Sequence, residues 1–453
     1  MAWRQRIVIV GSGFAGIAAA RALRSERVEV LLVDKTNHHL FQPLLYQVAA
    51  CALSPSEIAI PIRHIFARQK NVEVLFSEVT GVNLSARILE TRSGPIDYHF
   101  LVLAAGARNF YFGNDHWAEH ATGLKTLDEA LFIRRKVLLA LEMAEQETSE
   151  VRRRELLTFC VIGGGPTGVE LAGALSELSR QLVNKDFRHI RPHEISVQLV
   201  EGGDSVLKTF STSMRASARK QLEALGVTVL TSARVVDMNK NLLTVMDEHG
   251  ETKRIPAATV LWAAGVQASG LGATLGVPLD RGGRVLVSPS LNVPGYDEVF
   301  CVGDMASCTD QLGRNVPGVA PAAMQQGKFV AEQIQRRLSG REVQAFRYVD
   351  KGSLATIGRS SAVAEFGRAK LQGMIAWLLW LGVHICFLVG FRNRYIVLVQ
   401  WMWHYFTNRG GAHLITGTHG EAFVWPEQPR RMTKSAAAER TRNEAQVTAA
   451  PPV

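Results

Sequence analysis

The most informative absence in this sequence is that of a C-x-x-C pair. Its five cysteines are scattered, at Cys51, Cys160, Cys301, Cys308 and Cys386. Enzymes that move electrons through a thiol–disulfide pair usually need two neighbouring cysteines, so this class is disfavoured. An odd, scattered set is typical of buried thiols in a reducing compartment.

Two further absences narrow the function. Residues 7–10 lead directly into a glycine-rich motif, so we expect no secretory signal peptide. Basic stripes interleaved with aromatic residues are also missing, so we predict no nucleic-acid partner, despite a net charge of +10. The positive charge lies partly beside an apolar C-terminal segment, which favours contact with an anionic membrane surface. The length of 453 residues is enough for two or three domains.

The sequence does contain one glycine motif twice. Residues 7–16 read IVIVGSGFAG, and residues 159–170 read FCVIGGGPTGVE. In each, an apolar β-branched run stops at G-x-G-x-x-G and continues as a helical pattern. The first glycine makes a tight turn, the second lets the backbone approach a pyrophosphate, and the third lets the helix pack on the strand. One such motif is weak evidence, but two predict two dinucleotides that face each other.

An acidic residue closes the second strand of each unit and is expected to bind a ribose hydroxyl. Asp34 follows the apolar run 28–33, and Glu201 follows the run 196–200. Glu201 comes later than the usual spacing of ~20 residues, and we interpret the polar residues 179–193 as an insertion. A carboxylate at Glu201 with no Arg directly after it would repel a 2′-phosphate, so NADH is predicted to be preferred to NADPH.

The order of the later motifs predicts the domain arrangement. Residues 98–106 and 260–265 are buried strands that end in small residues, which would let the chain pass close to a dinucleotide. Another strand ends in Gly303-Asp304, whose carboxylate can accept a hydrogen bond from a flavin's ribityl chain. We predict an α/β fold with two Rossmann-like domains. An FAD-binding domain would comprise residues 1–125 and 286–370, and an NADH-binding domain residues 126–285.

This layout resembles that of the glutathione-reductase-like flavoproteins and, among them, the type II NADH:quinone oxidoreductases. The resemblance rests on residues 38–48, 53–55, 163–171, 299–306 and 351–359 and extends over residues 5–415. It implies an enzyme that oxidises NADH and reduces a membrane quinone by two electrons through non-covalent FAD, without pumping protons. It also implies a respiratory enzyme that is peripheral (monotopic) on the cytoplasmic face of a bacterial inner membrane.

Hydride transfer to a flavin needs stacked rings and exclusion of water more than acid–base groups, so most candidate residues are cofactor contacts and no metal is expected. The residues expected at FAD are Gly11, Gly13, Phe14, Ala15, Gly16, Asp34, Lys35, Gln47, Val79, Ala105, Gly106, Gly303, Asp304 and Ala323. Those expected at NADH are Gly163, Gly165, Pro166, Thr167, Gly168, Glu170, Glu201 and Gly265. The catalytic candidates are Glu170 and Gln325. By resemblance Glu170 lies near nicotinamide and flavin, and its alternative role is to complement a helix dipole.

The quinone-side motif departs from the family pattern A-Q-x-A-x-Q. Residues 320–325 read APAAMQ, so Pro321 replaces a Gln and offers neither a side-chain amide nor an N–H. The departure indicates a different quinone pose or a different acceptor. The residues expected on the quinone side are Pro321, Met324, Gln325 and Gln326. The alternative is that both glutamines are polar residues at a helix N-terminus that face solvent.

The C-terminal region is apolar and rich in Trp. Residues 374–390 carry no formal charge and would form a helix of about 26 Å, which is at the short limit for a membrane span. Tryptophans favour the membrane interface, and flanking cations favour anionic lipid. Those cations are Arg368, Lys370, Arg392, Arg394 and Arg409.

We predict that residues 371–424 are membrane-anchoring helices that insert without crossing the bilayer. The alternatives are a short transmembrane hairpin and a buried core or homodimer helix, and His384 is expected to be a packed, hydrogen-bonded residue. Residues 425–453 are predicted to be disordered.

Three other functions compete with the favoured one. A soluble NADH-dependent flavoprotein reductase could pass electrons to a small redox protein, but it would not need a Trp-rich C-terminus. A non-catalytic NADH-sensing protein would keep the glycine motifs without needing Gly303-Asp304. A sulfide:quinone reductase has a similar layout, but it needs paired redox-active cysteines.

Overall fold

The computed structural model describes residues 5–407 and 413–415. Its helices are α1 Phe14–Ala22, α2 Leu45–Ala49, α3 Pro55–Ile58, α4 Ile62–Phe66, α5 Leu127–Gln146, α6 Glu150–Leu156, α7 Pro166–Lys185, α8 Thr212–Ala224, α9 Ala320–Leu338, α10 Gly373–Phe387 and α11 Phe391–Thr407. All of them lie in the compact unit Met1–His413, and only residues 414 and 415 of the second unit, Leu414–Val453, are described.

The strands are mostly short. They are β1 Gln5–Val10, β2 Val28–Asp34, β3 His38–Leu40, β4 Ala59–Pro61, β5 Val72–Phe76, β6 Val79–Asn83, β7 Ile88–Thr91, β8 Gly94–Asp97, β9 Phe100–Leu103, β10 Ala107–Asn109, β11 Ala121–Gly123, β12 Thr158–Ile162, β13 Ser196–Val200, β14 Val227–Leu230, β15 Arg234–Asn239, β16 Leu242–Met246, β17 Thr252–Pro256, β18 Thr259–Trp262, β19 Val266–Ala268, β20 Val285–Leu286, β21 Asn292–Val293, β22 Tyr296–Cys301, β23 Ala306–Ser307, β24 Ser353–Gly358, β25 Ser361–Phe366 and β26 Ala369–Gln372.

The first sheet joins distant parts of the chain. Its order is β21-β22-β9-β1-β2-β5, and β1 pairs in parallel with both β2 and β9. Apolar cores lie on both faces, which is why its central strands read as continuous runs of Val, Ile and Leu. Strand β22 returns to this sheet after the whole second sheet has been formed, so the first sheet is built from two separate parts of the chain.

The second sheet is also built around a strand that leads into a glycine motif and a helix. Its order is β11-β18-β12-β13-β14, all in parallel, and the second glycine motif joins β12 to α7. This arrangement confirms the predicted α/β class. Residues 179–185 continue α7, so the late position of Glu201 reflects a long helix followed by a loop and is only partly due to an insertion. The predicted domain boundaries remain predictions.

The C-terminal helices pack onto the rest of the unit. Helix α10 lies on β25 through Ala376, Ala362 and Ala364, whose small side chains permit close approach. Asn393 of α11 donates hydrogen bonds to the carbonyls of Ser56 and Glu57. In the described part of the chain, no helix combines the length and apolarity that crossing a membrane requires. The predicted disordered tail and Arg409 lie outside the described residues.

Candidate functional site

At two of its glycines, the first glycine turn has no room for a side chain, because other backbone atoms pack against it. Gly11 has φ +98°, and a Cβ there would lie 2.4 Å from the Ala104 carbonyl oxygen. A Cβ at Gly16 would lie 1.8 Å from the Gly11 oxygen, whereas Gly13 faces open space at the start of α1. The turn therefore presents bare backbone and free helical N–H groups, which fits a pyrophosphate.

Asp34 at the end of β2 holds this turn together. One carboxylate oxygen accepts from the Ser12 N–H (2.6 Å) and hydroxyl (2.7 Å). The other oxygen lies 2.7 Å from the Thr36 nitrogen and 2.8 Å from its hydroxyl. These contacts occupy about four acceptor positions, which is the capacity of a carboxylate. Sequence reasoning missed this role, and the ribose contact of Asp34 remains a prediction.

The Gly303-Asp304 turn follows β22 at the same edge of the sheet as the first glycine turn. Gly303 has φ +68°, and a Cβ there would lie 3.6 Å from the Ala15 Cβ and 3.7 Å from the Ala323 Cβ. Ala105 lies beside this turn, because its N–H donates to Met305 Sδ at 3.1 Å. The structure thus brings Gly11, Ala15, Ala105, Gly303 and Ala323 close together.

Gln326 supports this turn, and its predicted place on the quinone side remains a prediction. Its side chain is buried (3% exposed), and its amide oxygen accepts the Gly303 N–H at 2.6 Å. It does not face solvent, which rules out the helix-surface alternative for this residue. Sequence spacing could not reveal this contact, because Gln326 and Gly303 lie on different elements.

The neighbouring Gln325 pairs with the backbone of Val349. Its amide donates to the Val349 oxygen and accepts from its nitrogen, both at 3.0 Å. Pro321 lies in the first turn of α9, where an α-helix leaves N–H groups unpaired, so proline is tolerated there. Met324 is half-buried. Contact of Pro321, Met324 and Gln325 with quinone remains a prediction.

The second glycine turn repeats the geometry of the first. Gly163 has φ +110°, and a Cβ there would lie 2.5 Å from the Ala263 oxygen. A Cβ at Gly168 would lie 1.8 Å from the Gly163 oxygen, and Gly165 faces open space before Pro166 and Thr167. This turn also fits a pyrophosphate.

Glu201 closes the second turn but keeps free acceptor capacity. Its two carboxylate oxygens accept from the Gly164 N–H at 2.6 Å and the Gly203 N–H at 2.7 Å. A carboxylate can accept about four hydrogen bonds, so this group could also accept a ribose hydroxyl.

An aromatic ring covers Gly265. A Cβ at Gly265 would lie 3.0 Å from the ring of Phe112, which has φ +53° and is 57% exposed. Trp262 fixes this segment, since its indole N–H donates to the Phe110 oxygen at 2.9 Å. The sequence carried no signal for this aromatic neighbour.

Glu170 lies where α7, the helix after the second glycine turn, meets β24 of a separate three-stranded sheet. It begins the second turn of α7, and its carboxylate lies 3.4 Å from the Thr356 N–H of β24. Burial raises the pKa of Glu170 to about 8, against the smaller opposing effect of the Thr356 N–H. The carboxyl is therefore mainly protonated at neutral pH.

Tyr46 of α2 faces Glu170, since α2 packs against α7. Burial, and then the charge of Glu170, raise the pKa of the Tyr46 hydroxyl well above its usual range. Gln47 donates to that hydroxyl at 2.9 Å, and its amide oxygen accepts the indole N–H of Trp401 at 2.8 Å. Buried hydrogen bonds thus link α2 to α11, and Glu170 of α7 lies close to the Tyr46 hydroxyl.

His384 is packed, as expected. Its ring stacks on Trp380 at 4.2 Å and donates from Nδ1 to the Trp380 oxygen at 2.7 Å. Burial lowers the pKa of His384 to about 4, so the ring is neutral. Its other neighbour, Phe41, packs edge-on against Phe14 of the first turn.

Two residues that the sequence analysis missed position the loop around α2. His39 is buried, and its Nδ1 lies 2.7 Å from the Ser12 oxygen, next to Asp34. Arg134 of α5 is also buried and donates to the carbonyls of Val48 (2.8 Å) and Leu53 (2.5 Å). A lone histidine and a lone arginine carry no spacing signal that would have revealed these contacts.

For the remaining FAD candidates, which lie outside the first glycine turn, no ligand contact is defined. Lys35 is exposed beside Asp34, Val79 begins β6, and Gly106 has φ +69° after β9.

The cysteines do not form a redox pair. All five are free, and four are buried. Burial raises the pKa of Cys51 and Cys308 to about 11 and that of Cys160 to about 12, so these thiols are protonated. Among the described residues, no group of His, Cys, Asp and Glu could hold a metal ion.

Comparison with known proteins agrees with this geometry. The family described as pyridine nucleotide-disulphide oxidoreductase matches residues 5–327, and the NDH2 C-terminal domain matches residues 351–410. The chain is 43% identical to the type II NADH:quinone oxidoreductase Ndh of Mycobacterium tuberculosis over 94% of this chain and 93% of that one. It is 42% identical to NdhA of the same organism, over 88% and 86%. The solved structure of NDH2 from Plasmodium falciparum, in complex with NADH, has a TM-score of 0.84 at 21% identity, covering 91% of this chain and all of that one.

Proposed function

This chain belongs to the type II NADH:quinone oxidoreductase family and is a flavin-dependent NADH:quinone oxidoreductase, and we propose that its flavin is FAD. The observation that carries the proposal is the pair of matched glycine turns, with Glu170 in the helix that follows the second turn. The first turn offers bare backbone and a helix N-terminus to a pyrophosphate, which FAD has and FMN lacks. The Asp304 carboxylate is available for the ribityl chain.

We further propose that the protein's own residues position the reactants and supply a proton. The bound flavin supplies the chemistry of accepting hydride and passing on electrons. Glu201 orients NADH through its ribose, and the two turns hold the dinucleotides in register. Glu170 is protonated at neutral pH, so it can donate a proton towards the reduced quinone, whose two oxygens must each gain one. Tyr46 and Gln47 continue the polar path towards α11.

We propose that α10 and α11 attach the enzyme to the surface of a bilayer. Large apolar side chains are exposed along α10, at Met374 (51%), Ile375 (65%) and Leu378 (55%). Along α11, Phe391 (85%) and Tyr395 (64%) are exposed at helical spacing. A soluble enzyme rarely exposes so continuous an apolar surface, and lipid or a second copy of the chain would cover it. We favour lipid because cations flank the surface, and we assign it to the cytoplasmic face of the membrane.

The test is steady-state oxidation of NADH by detergent-purified protein, with and without a short-chain quinone. We expect quinone-dependent turnover, and acid extraction should release FAD. Released FMN would contradict the first-turn assignment. Reduction of a small redox protein in preference to quinone would favour the soluble reductase, and light scattering would reveal a homodimer that covers the apolar surface.

A further inference from the structure

A lysine lies close to the carboxylate of Glu201, beside the second glycine turn. A Cβ built at Gly203 would lie 2.2 Å from Lys208 Nζ and 2.9 Å from Glu201 Oε1. The ammonium and the carboxylate therefore border the same small volume. They form no ion pair, and within the described residues the exposed Lys208 has no hydrogen-bonded partner. An ammonium carries three donors, so Lys208 can donate to an anion that binds beside Glu201.

The backbone of the preceding residue fixes the position of Lys208. The Leu207 N–H donates to the Gly164 oxygen at 2.7 Å, which ties this loop to the second glycine turn. Leu207 is buried and has φ +51°, a left-handed conformation that is rare for a bulky side chain. Such strain persists where the surroundings enforce it, and it is concentrated at functional sites. The place of Lys208 beside the turn therefore depends on the backbone and not only on the rotamer of a long side chain.

The segment under the lysine is fixed as well. The Gly203 N–H donates to Glu201 Oε1 at 2.7 Å, and the Gly203 oxygen accepts the Ser232 N–H at 2.7 Å. A Cβ at Gly203 would lie 2.1 Å from Lys208 Cε, so the lysine side chain takes the space that a side chain at Gly203 would fill. The missing side chain thus lets the ammonium approach the carboxylate.

Another cation of this loop, Arg215, has a structural task that Lys208 lacks. Arg215 Nε donates to the Phe210 oxygen at 2.7 Å, and one of its terminal nitrogens donates to Ser205 Oγ at 3.2 Å. These bonds tie the loop to α8. Since no such bond engages Lys208, its charge is better explained by a ligand than by the stability of the loop.

We propose that Lys208 binds the 2′-phosphate of NADPH and so admits NADPH as a second hydride donor. The inference rests on the proposed contact between Glu201 and the ribose, because a 2′-phosphate would then lie next to that carboxylate. Lys208 offsets the repulsion by Glu201 without removing it, so NADH stays the preferred coenzyme. The redox step is unchanged: NADPH transfers its hydride to the same flavin and leaves as NADP⁺.

The test compares kcat/KM for NADPH and for NADH, with a short-chain quinone, in the full-length enzyme. Because hydrogen bonds between charged groups are strong, Lys208→Gln should lower kcat/KM for NADPH about 10-fold and change that for NADH less than about 2-fold. The matched control Lys220→Gln removes the same charge from an exposed position on α8 and should behave as wild type. The gain in NADPH oxidation expected for Glu201→Gln should shrink when Lys208→Gln is added.

Competition against NADH measures the same contact as binding. Adenosine 2′,5′-bisphosphate and 5′-AMP differ only in the 2′-phosphate, so Lys208→Gln should weaken inhibition by the bisphosphate about 10-fold relative to inhibition by 5′-AMP.

Several outcomes would overturn the proposal. Equal losses for NADPH and NADH in Lys208→Gln would assign the lysine to the pyrophosphate that both coenzymes share. An equal loss in Lys220→Gln would show a general effect of charge. A wild type that turns over NADH but no NADPH would show that Lys208 does not admit the phosphate. Absence of NADH turnover with quinone would instead contradict the proposed function itself, so the two failures are distinguishable.

Discussion

At the scale of single residues, the protonated state of Glu170 has the widest consequences. Burial raises its pKa from 4.5 to about 8. Below pH 4.5, the Glu170 carboxyl is mainly neutral in both the folded and the unfolded chain. Between the two values, the unfolded carboxyl ionises while the folded one stays neutral, so burial costs increasing stability as pH rises.

Glu170→Gln should therefore stabilise the protein in a pH-dependent way. The midpoint of thermal unfolding of the variant should exceed that of wild type by an amount that grows from pH 5 to pH 8. Quinone-dependent kcat should fall about 100-fold, since the proton donor is lost. Wild-type activity should decline above pH 8, where Glu170 ionises, and the variant should lack this decline. A stability difference that is independent of pH would show that Glu170 is ionised in the folded protein.

Glu201 is expected to set coenzyme preference. Its carboxylate retains acceptor capacity beside two backbone N–H groups. Glu201→Gln removes the charge that would repel a 2′-phosphate, and the ratio of kcat/KM for NADPH to that for NADH should rise about 10- to 100-fold. Asp204→Asn is the control, because this exposed acid is three residues away. An unchanged ratio in Glu201→Gln would remove the ribose role.

At the scale of elements, the N-terminus of α9 presents two adjacent glutamines with different tasks. Gln326 accepts the N–H of Gly303 in a buried position, whereas Gln325 pairs with Val349 at the surface. An unsatisfied buried N–H costs about 1–3 kcal/mol, and an exposed one can bind water. In the turn that presents Asp304, the Gly303 N–H is therefore satisfied by Gln326 and not by Gln325.

Gln326→Leu should lower the free energy of unfolding by about 1–3 kcal/mol and weaken flavin retention during gel filtration. Gln325→Leu should keep full flavin occupancy. Equal flavin loss in both variants would show that the whole start of α9 has been disrupted and that the Gly303 contact is not decisive. A raised KM for quinone in Gln325→Leu would support its predicted quinone contact.

At the scale of the whole molecule, α10 and α11 have two faces with different roles. Trp380 (2% exposed) and Val397 (0%) are buried against the body, so deletion of these helices would uncover core. Substitution on the exposed face separates anchoring from folding better than truncation does.

Ile375→Asn combined with Leu378→Asn should reduce sedimentation with vesicles and turnover of a long-chain quinone, while flavin reduction by NADH persists. The control, Leu312→Asn combined with Val151→Asn, changes two apolar residues that are also exposed (62% and 76%) but lie elsewhere. Full vesicle binding by the first variant would contradict the membrane-anchor proposal and favour a homodimer interface.

The sequence by itself determined the features that depend on local spacing. The two glycine motifs, the acids Asp34 and Glu201 and the late Gly303-Asp304 turn predicted two dinucleotide folds in a discontinuous order, because each needs only neighbouring residues. The tertiary structure alone decided contacts between distant elements. It paired Gln326 with Gly303, Trp401 with Gln47 and Arg134 with the loop around α2. It also raised the pKa of Glu170, because burial depends on how α2, α7 and β24 pack and not on the residues beside Glu170.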